Sequence, residues 1–348
     1  MKKYVVLAAA IAMVAFASCN KEEKGFVTLT VGGEPTENTD KQVYNSALNS
    51  VMFQNSDQMF INGRLANIAC LNDDDDPYTT TDGYSYRAQL SVPTGSLMGQ
   101  SFLAVYPASS IDAEWMDVAT DYYPVTMVEN FHMIPQYKEA ATNPAAEGTE
   151  FSGDYQCWPM AAFATCGECV ANDGYFQLKN AVAVFSPAIM YGMDFYNALA
   201  RQFSLVTVNS VENVPALVLD KVVLSSTEPL AGLGRIENVR TSEPYVFIED
   251  EPIYSIEADN TGAIKPLPAM GLEQRFEIMG NITVPPFQHD GVLTQQVYFH
   301  MDINGQTYSF VQTSPRVNVQ AASVVRGKRT ILAVNMFDAV YANQVMML

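Results

Sequence analysis

The segment Phe26-Val27-Thr28-Leu29-Thr30-Val31 alternates apolar and polar side chains along its length. Successive side chains of an extended strand point to opposite faces, so Val27, Leu29 and Val31 share one face. The two threonines between them share the other face. This period is that of a half-buried β-strand, and it recurs through most of the chain.

Further segments have similar length, are rich in β-branched or aromatic residues, and are bounded by Gly, Pro, Asn or Asp. They run Gln58 to Asn62, Phe102 to Tyr106, Tyr175 to Pro187, Ala216 to Ser225, Tyr245 to Ile248, Arg275 to Val284 and Gln296 to Ile303. Asp302-Ile303-Asn304-Gly305 followed by Thr307 to Val311 predicts a hairpin, because Asn-Gly tolerates the positive φ angles of a tight turn.

Helical spacing occurs over Tyr191 to Leu205, where apolar residues recur in four-residue steps. One helix among so many strands predicts an all-β protein of tandem β-sandwiches with a connecting helix. The length suits two domains, and we place them at residues 26–190 and 191–348.

The first residues predict an exported lipoprotein. Lys2 and Lys3 precede an apolar run from Tyr4 to Phe16, which is too short to span a bilayer comfortably and is typical of a signal peptide. Ala17 and Ser18 lead into Cys19, so we predict a signal peptide at 1–18, lipidation of Cys19 and a solvated tether at 19–25. The alternative is an ordinary secretory signal with an incidental cysteine.

The charge of the chain excludes one class of partner. Removal of a signal peptide that carries two lysines and no acid takes the net charge from −19 to −21. Nucleic-acid binding needs a basic face, so no nucleic-acid partner is expected. With 48% hydrophobic and 16% charged residues the chain can bury a sizeable core.

Four cysteines remain after Cys19, namely Cys70, Cys157, Cys166 and Cys169. Beyond the inner membrane an even set predicts disulfides, and three pairings of these four are open. Cys166-Gly167-Glu168-Cys169 is alternatively a redox pair or half of a zinc site.

The usual signatures of catalysis are missing from the sequence. The three histidines, His132, His289 and His300, are not within metal-ligand spacing of one another, and no nucleophile-elbow or phosphate-binding motif occurs. Asp73-Asp74-Asp75-Asp76 could bind a hard cation but lacks the alternating spacing of a calcium loop, which favours a solvated turn. We therefore predict no enzyme, no cofactor and no metal site.

Several segments in series resemble the fimbrillin family, the pilus subunits of Bacteroides-type bacteria. The resemblance is carried by Ser56-Asp57-Gln58-Met59-Phe60-Ile61, Phe102-Leu103-Ala104-Val105-Tyr106-Pro107, Pro159-Met160 followed by Leu178-Lys179-Asn180, and Val222 to Ser226 followed by Leu230-Ala231-Gly232. In addition, Asn20-Lys21-Glu22-Glu23-Lys24 resembles the export tag of surface lipoproteins in such bacteria. The resemblance to the fimbrillin family depends on the order of these segments along the chain more than on any single segment.

The resemblance implies two transthyretin-like β-sandwich domains and assembly into a surface fimbria on the outer membrane. It also implies that a protease removes the first strand and that a strand from a neighbouring subunit replaces it. The removable strand would contribute Val27, Leu29 and Val31. The implied partners are other fimbrial subunits, the outer membrane through the lipid, and a host surface protein or glycan.

Lys41 is the candidate cleavage residue, because it is the only basic residue between Gly25 and Arg64. Family members commonly have arginine there, so the chain is alternatively an uncut, lipid-retained accessory subunit. The candidate donor strand is at the C-terminus, where Val340, Ala342, Met346 and Leu348 share one face. Its alternative is pairing within its own domain.

Two functions follow from these observations. The first is a structural or accessory fimbrial subunit used in adhesion. The second is a surface lipoprotein that does not polymerise and that binds glycans or host matrix through exposed aromatic side chains.

Overall fold

The computed structural model is all-β, which confirms the fold class predicted from the alternating pattern. It describes residues 26–34, 37–38, 53–55, 57–70, 84–85, 87–93, 101–132, 159–165, 174–191, 217–259, 275–278, 281–303, 305–335 and 345–347. Within these ranges the only helical turns are 3₁₀ turns at Ala108–Ser110 and Ala321–Ser323. No helix in this part of the chain is long and apolar enough to cross a bilayer.

The strands of the described residues are numbered in chain order. They are β1 Phe26–Gly33, β2 Glu37–Asn38, β3 Phe53–Gln54, β4 Gln58–Ile61, β5 Arg64–Cys70, β6 Tyr84–Ser85, β7 Arg87–Pro93, β8 Ser101–Tyr106, β9 Pro124–Met127, β10 Asn130–His132, β11 Met160–Thr165, β12 Tyr175–Asn180, β13 Ala183–Tyr191, β14 Leu217–Ser226, β15 Ala231–Glu237, β16 Tyr245–Ile253, β17 Ser255–Asp259, β18 Arg275–Ile278, β19 Ile282–Val284, β20 Gly291–Ile303, β21 Gln306–Thr313, β22 Val317–Val319, β23 Lys328–Asn335 and β24 Val345–Met347.

Seven strands of the N-terminal half close into a barrel in the order β1-β12-β11-β8-β4-β5-β7. The turn between β4 and β5 is Asn62-Gly63, with φ angles of 47° and 74°. Two successive positive φ angles are those of a type I′ turn, which matches the twist of the flanking strands. The Asn62 side chain also accepts a hydrogen bond from the Leu103 backbone N–H at 2.9 Å, and this ties the hairpin to β8.

The C-terminal half supplies most of the other sheets. One sheet has the order β10-β17-β14-β20-β21-β24 with β22 beside β20, and another has the order β18-β13-β23-β2 with β19 beside β13. The predicted hairpin is confirmed, since β20 and β21 pair antiparallel and Ile303 lies opposite Gln306. A three-stranded sheet, β16-β15-β9, and the short pair β3-β6 complete the described strands.

Two predicted strands are each divided in the structure. The apolar run from Tyr175 to Pro187 forms β12 and β13, with a break at Ala181-Val182. The carbonyls of these two residues accept hydrogen bonds from Val246 and Gly327, so they are not available to a continuous ladder. The segment from Arg275 to Val284 is likewise divided into β18 and β19.

The two halves share strands and a core. Strand β13, placed by the prediction at the end of the first domain, pairs with β18, β19 and β23 of the second half. Buried apolar residues from both halves belong to one contiguous cluster. The number of domains stays a prediction. The predicted helix lies outside the described residues, except that Tyr191 is the last residue of β13.

Gly232 has a backbone conformation and close neighbours that favour glycine at this position. It has a φ of +134° at an irregularity in the pairing of β15 with β16, and an added Cβ would lie 2.6 Å from the Glu251 carbonyl oxygen. A side chain at this position therefore meets both backbone strain and a backbone atom that cannot move aside cheaply.

We expect Gly232→Ala to lower the free energy of unfolding by about 2 kcal/mol or more. Gly305→Ala is the matched control, because Gly305 also has a positive φ, +79°, but an added Cβ would have no atom within 4 Å. The control should cost about 1 kcal/mol. Urea unfolding of both variants measures the difference, and equal losses would show that the close approach to Glu251 is unimportant.

Candidate functional site

The candidate site is the seam at which β1 closes the barrel. Residues Phe26 to Gly32 pair antiparallel with β7, and Thr30 to Gly33 pair parallel with β12. The other five pairings around the barrel are antiparallel. Because β7 and β12 are both far from β1 in sequence, no tight hairpin holds β1 to either neighbour. Among the described residues, the strand is held by its backbone hydrogen bonds, by its buried face and by contacts at its C-terminal end.

The inward face of β1 fills the barrel core. Leu29 is 4% exposed and Val31 is fully buried, while Val27 is partly buried and packs against the same core. Burial of a Leu or Val side chain is worth about 1.5–3 kcal/mol relative to exposure. Loss of β1 would therefore open an apolar slot between β7 and β12.

On the outward face of β1, Phe26 and Thr28 are exposed and Thr30 is half-buried, whereas Gly32 is buried. At Gly32 an added Cβ would lie 2.5 Å from the Tyr175 hydroxyl oxygen, so the tyrosine ring lies against this face of the strand where Gly32 has no side chain. The Arg87 guanidinium, opposite Gly32 on β7, lies 5.5 Å from the centre of that ring. We call this pair, Arg87 and Tyr175, the strap. Burial raises the pKa of Tyr175.

The end of β1 is held by a group of polar side chains around Glu34. The Glu34 carboxylate accepts hydrogen bonds from Lys179 Nζ at 3.2 Å, from the Asn180 backbone N–H at 3.0 Å and from Arg326 Nη1 at 2.8 Å. Its backbone N–H donates to the Leu178 carbonyl at 2.8 Å. We call Glu34, Lys179, Asn180 and Arg326 the clasp.

Arg326 links the clasp to the C-terminal half. Its side chain is only 14% exposed, and it donates to the Glu243 carboxylate at 2.7 Å and to the Ser242 carbonyl at 2.8 Å. Burial opposes its charge, but the hydrogen bonds to Glu243 and Glu34 outweigh burial and raise the pKa of Arg326. The first strand is thus fastened to residues nearly 300 positions away.

The chain that follows the clasp adds to a second sheet. Strand β2 pairs parallel with β23, with Glu37 opposite Lys328 and Asn38 opposite Arg329. The candidate cleavage residue, Lys41, lies just beyond β2 and outside the described residues. A cut at Lys41 would therefore separate both β1 and β2 from the rest of the chain.

The candidate donor segment is described over one short strand. Strand β24 pairs antiparallel with β21, with Met346 opposite Val311, at the end of the seven-stranded sheet. Among the described residues, three of each strand pair there, compared with seven between β1 and β7. Val340, Ala342 and Leu348 lie outside the described residues, so the use of this segment as a donor stays a prediction.

The remaining candidate residues are only partly described. Cys70 is the last residue of β5. Cys19, Cys157, Cys166, Cys169 and the four aspartates at 73–76 lie outside the described ranges, so lipidation and the disulfides stay predictions. His300 Nδ1 lies 2.8 Å from Asp220 Oδ1, as expected for a satisfied strand histidine. In the described ranges no three His, Cys, Asp or Glu residues are grouped to hold a metal.

A second concave region lies away from the seam. This pocket of about 380 Å³ is formed by residues 120–122 and 235–241. Arg240 donates to both Asp121 carboxylate oxygens, at 2.5 and 2.7 Å, and the Arg235 guanidinium lies 5.9 Å from the centre of the Tyr122 ring. Beside it, Tyr123 is fully buried, its hydroxyl has no hydrogen-bond partner among the described residues, and burial raises its pKa to about 12.

Sequence reasoning identified the buried face of β1 but missed the strap and the clasp. A local signal was present, since Gly32-Gly33-Glu34 follows the alternating run directly. The partners Tyr175, Lys179 and Arg326 are distant in sequence, and periodicity within one strand carries no information about them.

Comparison with known proteins does not assign this chain to a family. No family model matches the chain, and no curated protein matches it. Among solved structures, a "putative cell adhesion protein" of Bacteroides fragilis NCTC 9343 has a TM-score of 0.31 and 8% identity, over 89% of this chain and 93% of that one. A "putative adhesin" of Bacteroides ovatus ATCC 8483 has a TM-score of 0.21 and 10% identity, over 91% and 94%. TM-scores this low do not establish a common fold or function.

Proposed function

We propose that the chain is a structural or accessory subunit of a cell-surface fimbria, used in adhesion and assembled by protease-triggered strand exchange. The observation that carries the proposal is the position of β1. It closes the barrel between two strands that are remote in sequence, and no hairpin ties it to either of them.

Removal of β1 would create a binding site for another strand. The backbone groups of β7 and β12 that now pair with β1 would lose their partners, and the slot filled by Leu29 and Val31 would open. Unpaired sheet edges are templates for strand addition, and an added strand restores backbone hydrogen bonds and apolar burial together. Such exchange can therefore be strong even though the interface is one strand wide.

The proposal includes delivery of the chain to the cell surface by a lipid. In this proposal Cys19 bears the lipid that carries the chain to the outer membrane, and the charged segment after it, residues 20–24, directs export to the outer surface. A cut at Lys41 discards the lipid with β1 and β2. An uncut chain keeps its lipid and serves as an anchor or accessory subunit.

The C-terminal segment is the proposed donor. Within the described residues, β24 is the last strand in the order of its sheet and three of its residues pair with β21, so release of these three residues breaks few backbone hydrogen bonds. In the assembled fimbria β24 would leave this edge, and the segment from Val340 to Leu348 would enter the opened groove of a neighbouring subunit.

The proposal is tested with the purified mature chain and limiting trypsin-like protease, with the products followed by electrophoresis in detergent. We expect detergent-resistant ladders from the unchanged chain and none from Lys41→Gln or from a chain that lacks Val340 to Leu348. A chain that is cut at Lys41 and stays monomeric under every condition would overturn strand exchange.

A second candidate function rests on the pocket beside Tyr122. Binding of a host glycan or matrix protein is favoured there by paired polar groups and a tyrosine ring in one concavity. Trp115, which precedes the pocket residue Thr120 by five positions in the sequence, is a 69% exposed aromatic residue. Glycan-array binding that is lost in Arg235→Met, without any polymer, would support this function over the first.

A further inference from the structure

We infer that the pocket formed by residues 120–122 and 235–241 binds a neutral sugar through two adjacent hydroxyl groups, which hydrogen-bond to Asp121 and Arg240. The inference rests on the second candidate function, glycan binding, and names the class of ligand and the residues that recognise it. It applies to a polymerised subunit as well as to a single chain, because the described lining residues belong to neither β1 nor β24.

The ion pair between Asp121 and Arg240 offers both donors and acceptors to a ligand. Arg240 Nε and Nη2 donate to the two Asp121 carboxylate oxygens, at 2.5 and 2.7 Å, whereas Nη1 has no hydrogen bond to a described residue. Each carboxylate oxygen has two lone pairs, so it can accept a second hydrogen bond. The Arg240 and Asp121 side chains are 47% and 29% exposed, so both are open to a ligand.

This arrangement matches two adjacent hydroxyl groups of a sugar. One hydroxyl can donate to an Asp121 oxygen while its neighbour accepts from Arg240, because every hydroxyl both donates and accepts. Hydrogen bonds to charged groups are stronger than those between neutral groups, so a small ligand gains affinity from few contacts. The volume of about 380 Å³ lies within the range of small-molecule sites, which is about 300–1,000 Å³.

Aromatic rings hold both guanidinium groups of the pocket in place. The Arg240 guanidinium carbon lies 5.4 Å from the centre of the Phe163 ring, and that of Arg235 lies 5.9 Å from the centre of the Tyr122 ring. Each guanidinium is also held at its edge by a carboxylate. A side chain that is held at its edge and at its face has little rotamer freedom left to lose when a ligand binds.

The charges around the pocket favour a neutral sugar over an acidic one. Three carboxylates pair with two guanidinium groups there, and they belong to Asp121, Glu237 and Glu249 and to Arg235 and Arg240. This group therefore carries one net negative charge, on a chain whose own net charge is −19. A sugar that bears a carboxylate would be repelled, whereas a neutral sugar would not.

The Tyr123 hydroxyl is a second polar group near this ion pair. It is fully buried and has no hydrogen-bond partner among the described residues. Burial and the Asp121 charge raise the pKa of Tyr123 to about 12 against the opposing charge of Arg240, so the hydroxyl stays protonated and remains a donor. Buried polar groups without partners and shifted pKa values are typical of functional sites, which supports binding at this place.

The experiment uses the uncut mature chain, so that its result does not depend on polymer formation. The probes are the methyl glycosides of glucose, galactose and mannose, each compared with the corresponding uronic acid. Titration followed by NMR gives the dissociation constants. We expect at least one neutral glycoside to bind with a Kd of about 1 mM or lower, and at least about threefold more tightly than its uronic acid. Removal of either of two adjacent hydroxyl groups from that glycoside should weaken binding about tenfold.

Asp121→Asn tests the role of the carboxylate. Asparagine tolerates the left-handed φ of 58° at this position, so the variant should fold. The substitution removes an acceptor for the sugar and also removes the carboxylate partner of Arg240. The neutral glycoside should therefore bind about tenfold more weakly, and its uronic acid about threefold more tightly. A residue with a merely structural role would weaken the binding of both ligands alike.

Glu257→Gln is the matched control. It removes the carboxylate of an ion pair whose cation, Lys221, lies 5.0 Å from the centre of the Tyr298 ring, so it repeats the chemistry of the pocket on a different sheet. Binding of either ligand should change by less than about twofold. A larger change would mean that the effect of Asp121→Asn comes from the net charge of the chain.

The outcomes distinguish this inference from the functions beneath it. Tighter binding of the uronic acids by the unchanged chain, or equal effects of Asp121→Asn on both ligands, would overturn the ligand class and leave glycan binding standing. Failure of every glycoside and uronic acid to bind at up to about 10 mM would overturn glycan binding itself. Strand exchange is judged separately by the detergent-resistant ladders that follow proteolysis.

Discussion

Leu29→Asp is expected to lower the free energy of unfolding by at least about 4 kcal/mol, a loss reached by few single substitutions. Leu29 is 4% exposed in the middle of β1, between β7 and the barrel core. The substitution removes about 1.5–3 kcal/mol of apolar burial and forces a carboxylate either to lose its hydration or to take up a proton. Urea unfolding measures the loss, and hydrogen exchange over residues 26–34 shows where it falls.

Thr28→Asp is the matched control for this effect. It adds the same charge one position earlier on the same strand, but Thr28 is exposed and lies opposite Ser91, which is also exposed. We expect a loss below about 1 kcal/mol. Equal losses in the two variants would contradict the assignment of Leu29 to the barrel core.

Leu29→Asp also tests whether β1 is part of the assembled polymer or only of the uncut chain. If β1 is discarded on assembly, Leu29→Asp weakens the uncut chain but is absent from the polymer. Polymers of the variant and of the unchanged chain should then dissociate in detergent at the same temperature. A polymer that is weakened by the variant would show that β1 remains within it.

The strands that could be predicted from the sequence are those whose pattern of residues lies within one short segment. In β1 the alternation of Val27, Leu29 and Val31 is complete within six residues, and the Asn304-Gly305 turn fixes the β20–β21 hairpin by its own backbone preference. Each of these needs information from one short window only.

Barrel closure could not be predicted in the same way. Strand β1 pairs parallel with β12, which is about 150 residues distant, and nothing in either strand specifies the other. Strand β7 alternates buried and exposed residues throughout, but its buried positions are Ala88, Leu90 and Val92 among polar neighbours and give a weak apolar signal. The clasp depends on Arg326, which lies outside any periodic run. Strand pairing and ion pairs between residues so distant in sequence form only in the folded chain, so local patterns in the sequence do not predict them.

The largest expected effect at the clasp comes from Arg326→Met, which should lower the free energy of unfolding by about 2–3 kcal/mol. The substitution removes the cation that Glu34 and Glu243 share, and it removes the hydrogen bonds that Arg326 donates to the carbonyls of Asn180 and Ser242. Arg316→Met is the control, because Arg316 is exposed and should change stability by no more than about 0.5 kcal/mol. Denaturant unfolding of both variants gives the comparison.

A double-mutant cycle shows whether this loss acts through β1. If Arg326 fastens β1 through Glu34, then Glu34→Gln should cost about 1–2 kcal/mol less in the Arg326→Met chain than in the unchanged chain. Exchange of the amide hydrogens from Gly32 to Glu34 should accelerate more than exchange in β14 or β20, since only β1 is released. Strictly additive losses, or uniform acceleration across the sheets, would instead mean that Arg326 holds the C-terminal half together through Glu243 and Ser242, and that the end of β1 is retained by its backbone pairing alone.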